Sequence, residues 1–189
     1  MLEYFEGLAK LFSSVEVTAG RQRRLDLPSG LAAAVDLIVS QTSLGRKVIF
    51  IGNGGSAAIA SHQAVDYWKN GGMRAIAFND ASLLTCVSND FGYPEVFAKP
   101  VEMFADAGDI LMAISSSGRS ENIVSAVSAA RGKDCKVITM SGFAVDTPLR
   151  VTGDLNFYVS SHSYGHVEIV HLALCHCILD TIISRRTVA

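Results

Sequence analysis

Two pairs of side chains in this 189-residue sequence are of types that ligate metals or move protons. His62 and Asp66 are four residues apart, so on a helix they point within about 40° of each other. Glu168 and His176 are eight apart, about 80° around a helix axis, and on a helix both can border one cleft. The four supply two imidazoles and two carboxylates, a donor set that zinc accepts or that can act as base and acid. A single histidine on a helix is more often a core or surface residue, and His171, beside Glu168, falls under that caution. Cys175-His176-Cys177 is no metal motif, because helical neighbours point about 100° apart.

Two small-residue loops raise a second kind of chemistry. "GNGGS" (52–56) follows the apolar run "VIFI" and precedes the helix that carries His62. "SSSGRS" (115–120) follows "DILMAIS" and also feeds a helix, placing Ser115, Ser116, Ser117 and Ser120 around Gly118. Backbone N–H groups at a helix start, joined by hydroxyls, hold a dianionic phosphate without requiring a lysine, and Arg119 could add charge. The plainer reading is that the serines only cap a helix. Gly52, Gly54 and Ala57 also satisfy the dinucleotide pattern G-x-G-x-x-G/A, with Asp80 where a ribose-binding acid would stand. No Lys-Ser/Thr pair closes the loop, so the Walker pattern is absent.

The elements that must position these residues follow from periodicity. Helices are expected at 2–14 and 29–43, joined by the connection "VTAGRQRRLDLPSG". Strands at 48–51, 75–78, 109–115, 136–140 and 155–160 alternate with helices at about 56–68, 81–88, 94–105, 120–131 and 165–184. Short apolar strands separated by helices predict an α/β fold, a central parallel sheet covered on both faces as a three-layer sandwich. Ligands in such sheets bind beyond the carboxyl ends of the strands, where both loops fall.

Composition narrows the partners. The chain is 49% hydrophobic and 18% charged with a net charge of −2, and its length suits a single domain over 1–189. No long basic run is present, so no nucleic-acid partner is expected; "RQRR" (21–24) reads as a solvated turn. The four cysteines form no CxxC pair, and with no signal peptide they are expected to be reduced thiols of a cytoplasmic protein. The apolar "IVHLALCHCILDTII" reads as a packed helix, not a membrane span.

Taken in order, "GNGGSAAIASHQAVD", "SLLTCVSNDFGYPEVFAKPVE", "AGDILMAISSSGRSENIVSAV", "KVITMSG" and "EIVHLALCH" give the chain its resemblance. It resembles the sugar-isomerase (SIS) domain family, flavodoxin-like in winding, and within it the phosphoheptose isomerases. The resemblance implies conversion of sedoheptulose 7-phosphate to a glycero-manno-heptose 7-phosphate. It implies substrate contacts from Asn53, Gly54, Gly55 and Ser56, from Asn89 and Asp90, from Ser115, Ser116, Ser117 and Ser120, and from Glu168. It implies a Zn²⁺ at His62, Asp66, Glu168 and His176, with Asp66, His176 and Glu168 as acid–base residues. It also implies a homotetramer with active sites at subunit interfaces, residues 1–45 forming a helical segment used in assembly. A non-catalytic SIS module that binds a sugar phosphate or a protein, or an isomerase of another phosphosugar, are the alternatives.

Three positions depart from the family pattern. Asp66 stands where those isomerases carry glutamate, withdrawing the carboxylate by roughly 1.5 Å, one C–C bond. Glu168 stands where they carry glutamine, returning a carboxylate from the other helix and making the four-residue zinc site formally neutral. Gly165 and His166 occupy positions where relatives place an acidic residue and an arginine.

Overall fold

The computed structural model describes residues 2–20 and 23–187. Helix α1 (Leu2–Ser13) leads into strands β1 (Glu16–Ala19) and β2 (Arg23–Leu25), then α2 (Leu27–Ser43), β3 (Val48–Gly52) and α3 (Gly55–Lys69). Next come β4 (Ala75–Ala77), α4 (Ala81–Phe91), a 3-10 turn (Tyr93–Glu95), α5 (Ala98–Phe104), β5 (Ile110–Ser115) and α6 (Glu121–Gly132). The chain closes with β6 (Lys136–Gly142), a second 3-10 turn (Pro148–Val151), β7 (Leu155–Val159) and α7 (Tyr164–Thr187).

One seven-stranded sheet runs in the order β2-β1-β7-β6-β5-β3-β4. Its five strands from β3 to β7 are parallel, and they follow the doubly wound 2-1-3-4-5 order. The period-2 alternation sorts their side chains into two cores. Val48, Phe50, Ile110, Met112, Ile138 and Met140 face α2, α3 and α7, while Ile49, Ile51, Leu111, Ala113 and Val137 face α5 and α6. Helices thus cover both faces of the strands, the three layers expected. Among the described helices, α7 alone has the length and apolarity to cross a membrane, with a mean hydropathy of 1.6. Its Val167, Val170, Leu174, Ile178 and Ile182 are instead buried in the core of the molecule.

Two expectations are corrected. The connection between the first helices contains β1 and β2, a hairpin that joins the sheet antiparallel through β7, so the sheet is mixed. Each strand is three or four residues long and half exposed, which leaves little alternation to detect. Of the basic cluster, Arg21 and Gln22 lie outside the described residues; Arg23 and Arg24 belong to β2. Val17 packs directly under α2, at Gly30, where a Cβ would come within 2.6 Å of the valine Cγ1. The helix expected at 94–105 breaks before α5, which restarts at Ala98. That restart puts Pro100 in the first turn, where no intrahelical N–H is needed.

Candidate active site

The sheet order reverses between β3 and β5, and the helices that follow these strands, α3 and α6, lie on opposite faces. Loops leaving two such strands diverge and open a crevice at the carboxyl edge. Here they are the Gly-Asn-Gly-Gly turn after β3 and the serine loop after β5. Together they line a cleft of about 270 Å³ with Asn53, Gly54, Gly55, Ser56, Ser115, Ser116, Ser117, Ser120, Tyr164 and Glu168.

The local chemistry suits an anion. Helices α2 and α4 are capped by carboxylates: Asp26 accepts from Ser29 N at 2.7 Å, and Asp80 from Ser82 N and Leu83 N at 2.9 and 3.1 Å. At the cleft, α3 starts from Gly54 at φ +54° and α6 from Ser120, and neither has a side-chain cap. Their first-turn amides and partial positive charge are therefore left for a ligand. Ser115 Oγ sits 3.4 Å from Ser117 Oγ and 3.2 Å from Ser120 Oγ, and it accepts the Gly118 N–H at 3.2 Å. Gly118 turns at φ +61° with Thr147 packed where a Cβ would lie, so a side chain fits there neither by conformation nor by space. Ser116 is 5% exposed and its hydroxyl has no hydrogen-bond partner. A buried unpaired hydroxyl in a cleft wall is a demand that a ligand oxygen would meet.

Arg119 does not line the cleft. Its guanidinium donates to the Asp146 carbonyl and carboxylate at 2.9 and 3.0 Å. Asp80 is taken up as the α4 cap, which removes the ribose-binding acid of a dinucleotide site. Asn89 and Asp90, expected on a substrate-contacting turn, fall in the last turn of α4 and are exposed outside the cleft. There Asn89 Nδ2 donates to Asp90 Oδ1 at 2.8 Å.

A second group gathers farther along α3 and α7. His62 Nε2 lies 3.0 Å from Asp66 Oδ2, and His176 Nδ1 lies 4.0 Å from the same oxygen. The two imidazole centroids are 5.3 Å apart, and one ligand atom from each of the three residues falls within 4.8 Å of the others. Two imidazoles and a carboxylate at this spacing are a donor set that suits a metal ion of the kind zinc represents. Glu168 is not in this group. Eight residues of helix separate it from His176, about 12 Å of rise, and its carboxylate packs against Gly55 at the cleft. Likewise, His62 and Asp66 lie about 9 and 15 Å along α3 from Ser56. The chain therefore unites the loop residues with Glu168, and His62 with Asp66 and His176, at two places on the same helix pair.

Three residues around the cleft escaped the sequence. Tyr164 lines it from one helical turn before Glu168, at the start of α7. Tyr93 Oη donates to Asn53 Oδ1 at 3.0 Å, and Asn122 exchanges amide hydrogen bonds with Asn53. The only signal for any of them was proximity to a motif.

Between Glu168 and His176 lies His171, fully buried, its Nε2–H donating to the Ser141 carbonyl at 3.1 Å while Nδ1 has no partner. Burial holds its pKa down at about 4 despite that hydrogen bond. Burial likewise pushes the Cys175 thiol up to about 12, so neither group is poised for chemistry near neutral pH.

An open doubly wound sheet with an uncapped anion seat at its switch point defines a class of phosphate-binding α/β proteins. Residues 4–142 match the SIS domain family, and the chain belongs to that family. It is 34% identical to the phosphoheptose isomerase of Thiobacillus denitrificans (strain ATCC 25259 / T1), over 88% of this chain and 90% of that protein. A solved phosphoheptose isomerase from Francisella tularensis superposes with a TM-score of 0.83 at 31% identity, covering 97% of this chain and 95% of that one. Another from Neisseria gonorrhoeae gives 0.76 at 33% identity, covering 82% and 86%.

Proposed function

We propose that this protein is an aldose–ketose isomerase that converts sedoheptulose 7-phosphate to D-glycero-D-manno-heptose 7-phosphate through an enediol or enediolate. The observation that carries the reading is the buried, unpartnered Ser116 hydroxyl in a cleft between two uncapped helices. Similarity to phosphoheptose isomerases over most of the chain supports the same substrate class. Asn53, Gly54, Gly55 and Ser56 approach the sugar; Ser115, Ser116, Ser117 and Ser120 take its phosphate. Binding at this remote group positions the carbons that react.

Isomerisation removes a proton from C1 of the ketose and returns one to C2, while a proton passes from the C1 hydroxyl to the C2 oxygen. Asp66 is assigned as the carbon base and His176 as the group that moves the proton between oxygens. Glu168 lines the seat, apart from these groups, and contributes to holding the sugar there. His62, Asp66 and His176 would hold a zinc ion, which when bound polarises the carbonyl and hydroxyl oxygens.

The seat and the histidine group occupy separate stretches of one helix pair, and a heptose carries its phosphate and its reacting carbons at opposite ends. The same separation supports a homotetramer whose active sites are completed at subunit boundaries. Exposed Leu2 and Phe5 on α1 and Val65 and Trp68 on α3 supply apolar surface for such contacts. Four free thiols and a sugar-phosphate substrate suit the cytoplasm.

The test is incubation of the protein with sedoheptulose 7-phosphate, with and without Zn²⁺, followed by NMR of the products. Appearance of the aldoheptose phosphate is the expected result. Binding without turnover at any metal concentration would leave a sugar-phosphate-binding module and end the isomerase reading.

A further inference from the structure

Asn53 projects from the turn after β3, and its side chain is held from two other segments. Its Nδ2 donates to Asn122 Oδ1 at 2.9 Å, and Asn122 Nδ2 donates back to Asn53 Oδ1 at 2.9 Å. Tyr93 Oη donates to the same Asn53 Oδ1 at 3.0 Å. Asn122 is 2% exposed in the first turn of α6, just past the serine loop, and Tyr93 begins the turn between α4 and α5. Three segments are thus tied through one amide.

The valences of that amide can be counted. An asparagine side chain has two N–H donors and two acceptor lone pairs. Asn122 and Tyr93 fill both lone pairs of Asn53 Oδ1, and Asn122 takes one of the two N–H groups. The reciprocal pairing holds the two amides in register, because flipping either one alone would set oxygen against oxygen and nitrogen against nitrogen. One N–H remains, on a residue that lines the cleft.

We propose that Asn122 and Tyr93 are positioning residues that present Asn53 as a single hydrogen-bond donor to an acceptor oxygen of the bound sugar phosphate. This rests on the sugar-phosphate reading of the cleft for its ligand, and on the hydrogen bonds alone for its geometry. Asn53 so held takes a phosphate, carbonyl or ring oxygen and offers nothing to a group that must donate.

Asn122→Asp is the informative variant because it keeps the shape and removes the donor. The carboxylate has no donor for Asn53 Oδ1, so oxygen faces oxygen across the former pair and Asn53 is driven from the orientation that aims its N–H at the cleft. A packing role for Asn122 predicts that this isostere is nearly neutral while Asn122→Ala is not. The positioning role predicts that both raise the KM for sedoheptulose 7-phosphate, about 10- to 100-fold for the loss of a hydrogen bond to a charged oxygen. Asn122→Asp is expected to be at least as impaired as Asn122→Ala, with kcat changed less than KM. Tyr93→Phe, which frees one lone pair but leaves the reciprocal pair, is expected to cost less than either.

A turnover-independent arm uses protein labelled with ¹⁵N-asparagine. The Asn53 side-chain N–H pair is expected to show one proton protected from exchange, with protection lost in Asn122→Ala. Wild-type protection without isomerisation of any heptose phosphate would end the isomerase reading and leave the positioning intact. An unprotected Asn53 amide, or a neutral Asn122→Asp in an active enzyme, overturns the positioning.

Discussion

The N-terminal ends of α3 and α7 and their middles do different work with different means. At the ends, Gly54, Gly55 and the serine loop form a seat from backbone amides and hydroxyls, and among the described residues Glu168 is the only charged side chain lining it. About two to three turns farther along the same helices, His62, Asp66 and His176 form a group built wholly of titratable side chains, the His62 and His176 side chains 56% and 38% exposed. Ser56, Ser115 and Ser116 of the seat are buried, whereas the histidine group stands open. The seat rests on loop backbone and short hydroxyl side chains, which local sequence dictates, whereas the histidine group depends on side chains brought together from two helices.

The largest effect that can break this contrast is at Asp66. It is the oxygen that both imidazoles approach, so Asp66→Asn removes the assigned base and the anionic metal ligand together. Turnover is expected to fall about 10²- to 10⁴-fold, with the metal content of protein purified without chelator falling as well. The seat should be untouched, so calorimetric affinity for the sugar phosphate should stay within a few-fold. Wild-type turnover in this variant would remove Asp66 from the chemistry.

His171 lies on α7 between the two regions and tests whether they are joined by a rigid core. An unfolded chain binds its proton below about pH 6.5, the folded one only near pH 4. Stability is therefore complete above pH 6.5 and declines as the pH falls toward 4, by about 3 kcal/mol in all. Denaturant titrations at pH 7, 6 and 5 should show this slope, and His171→Gln should flatten it. Equal slopes in the two proteins would assign the acid sensitivity to other groups.

The sequence made the seat more legible than the histidine group. "GNGGS" and "SSSGRS" each end a buried strand and begin a helix, so their placement at the carboxyl edge followed from the α/β pattern. His62 and Asp66 were legible as an i, i+4 pair. Glu168 and His176 were read together from their angle around the axis, but eight residues of rise divide them, and angle alone ignores that translation. Asn89 and Asp90 extended a helix expected to end at 88, which turned an expected loop contact into an exposed helix end. The β1–β2 hairpin was hidden because short half-exposed strands carry almost no periodic signal. Asn122 was unreadable, since its partner lies 69 residues away.

Glycines sharpen the comparison at the seat itself. The atoms nearest to a Cβ on Gly55 would be those of the Glu168 carboxylate, the movable end of a side chain. Gly55→Ala is expected to displace Glu168 and cut turnover about 10²-fold, as a small misplacement of the bound substrate can even far from the reacting atoms, with little change in Tm. A Cβ on Gly52 would instead stand 2.5 Å from the Ser56 carbonyl oxygen, which is backbone and cannot yield. Gly52→Ala should lower stability by about 1–3 kcal/mol, as overpacking does. If Gly55→Ala loses stability and keeps turnover, Glu168 is a packing residue and not part of the sugar end.

Ser116 gives the smallest effect and the clearest sign. Among the described residues its buried hydroxyl has no hydrogen-bond partner, so removing it takes away a desolvation cost and no hydrogen bond. Ser116→Ala should leave the protein as stable as before or up to about 1 kcal/mol more stable. With ligand bound, the same hydroxyl would donate to a phosphate oxygen, so KM should rise about tenfold while kcat stays near wild type. Opposite movements of stability and affinity at one residue mark a group kept for its ligand. A loss of stability with unchanged KM would mean that Ser116 serves the loop and that the phosphate sits elsewhere.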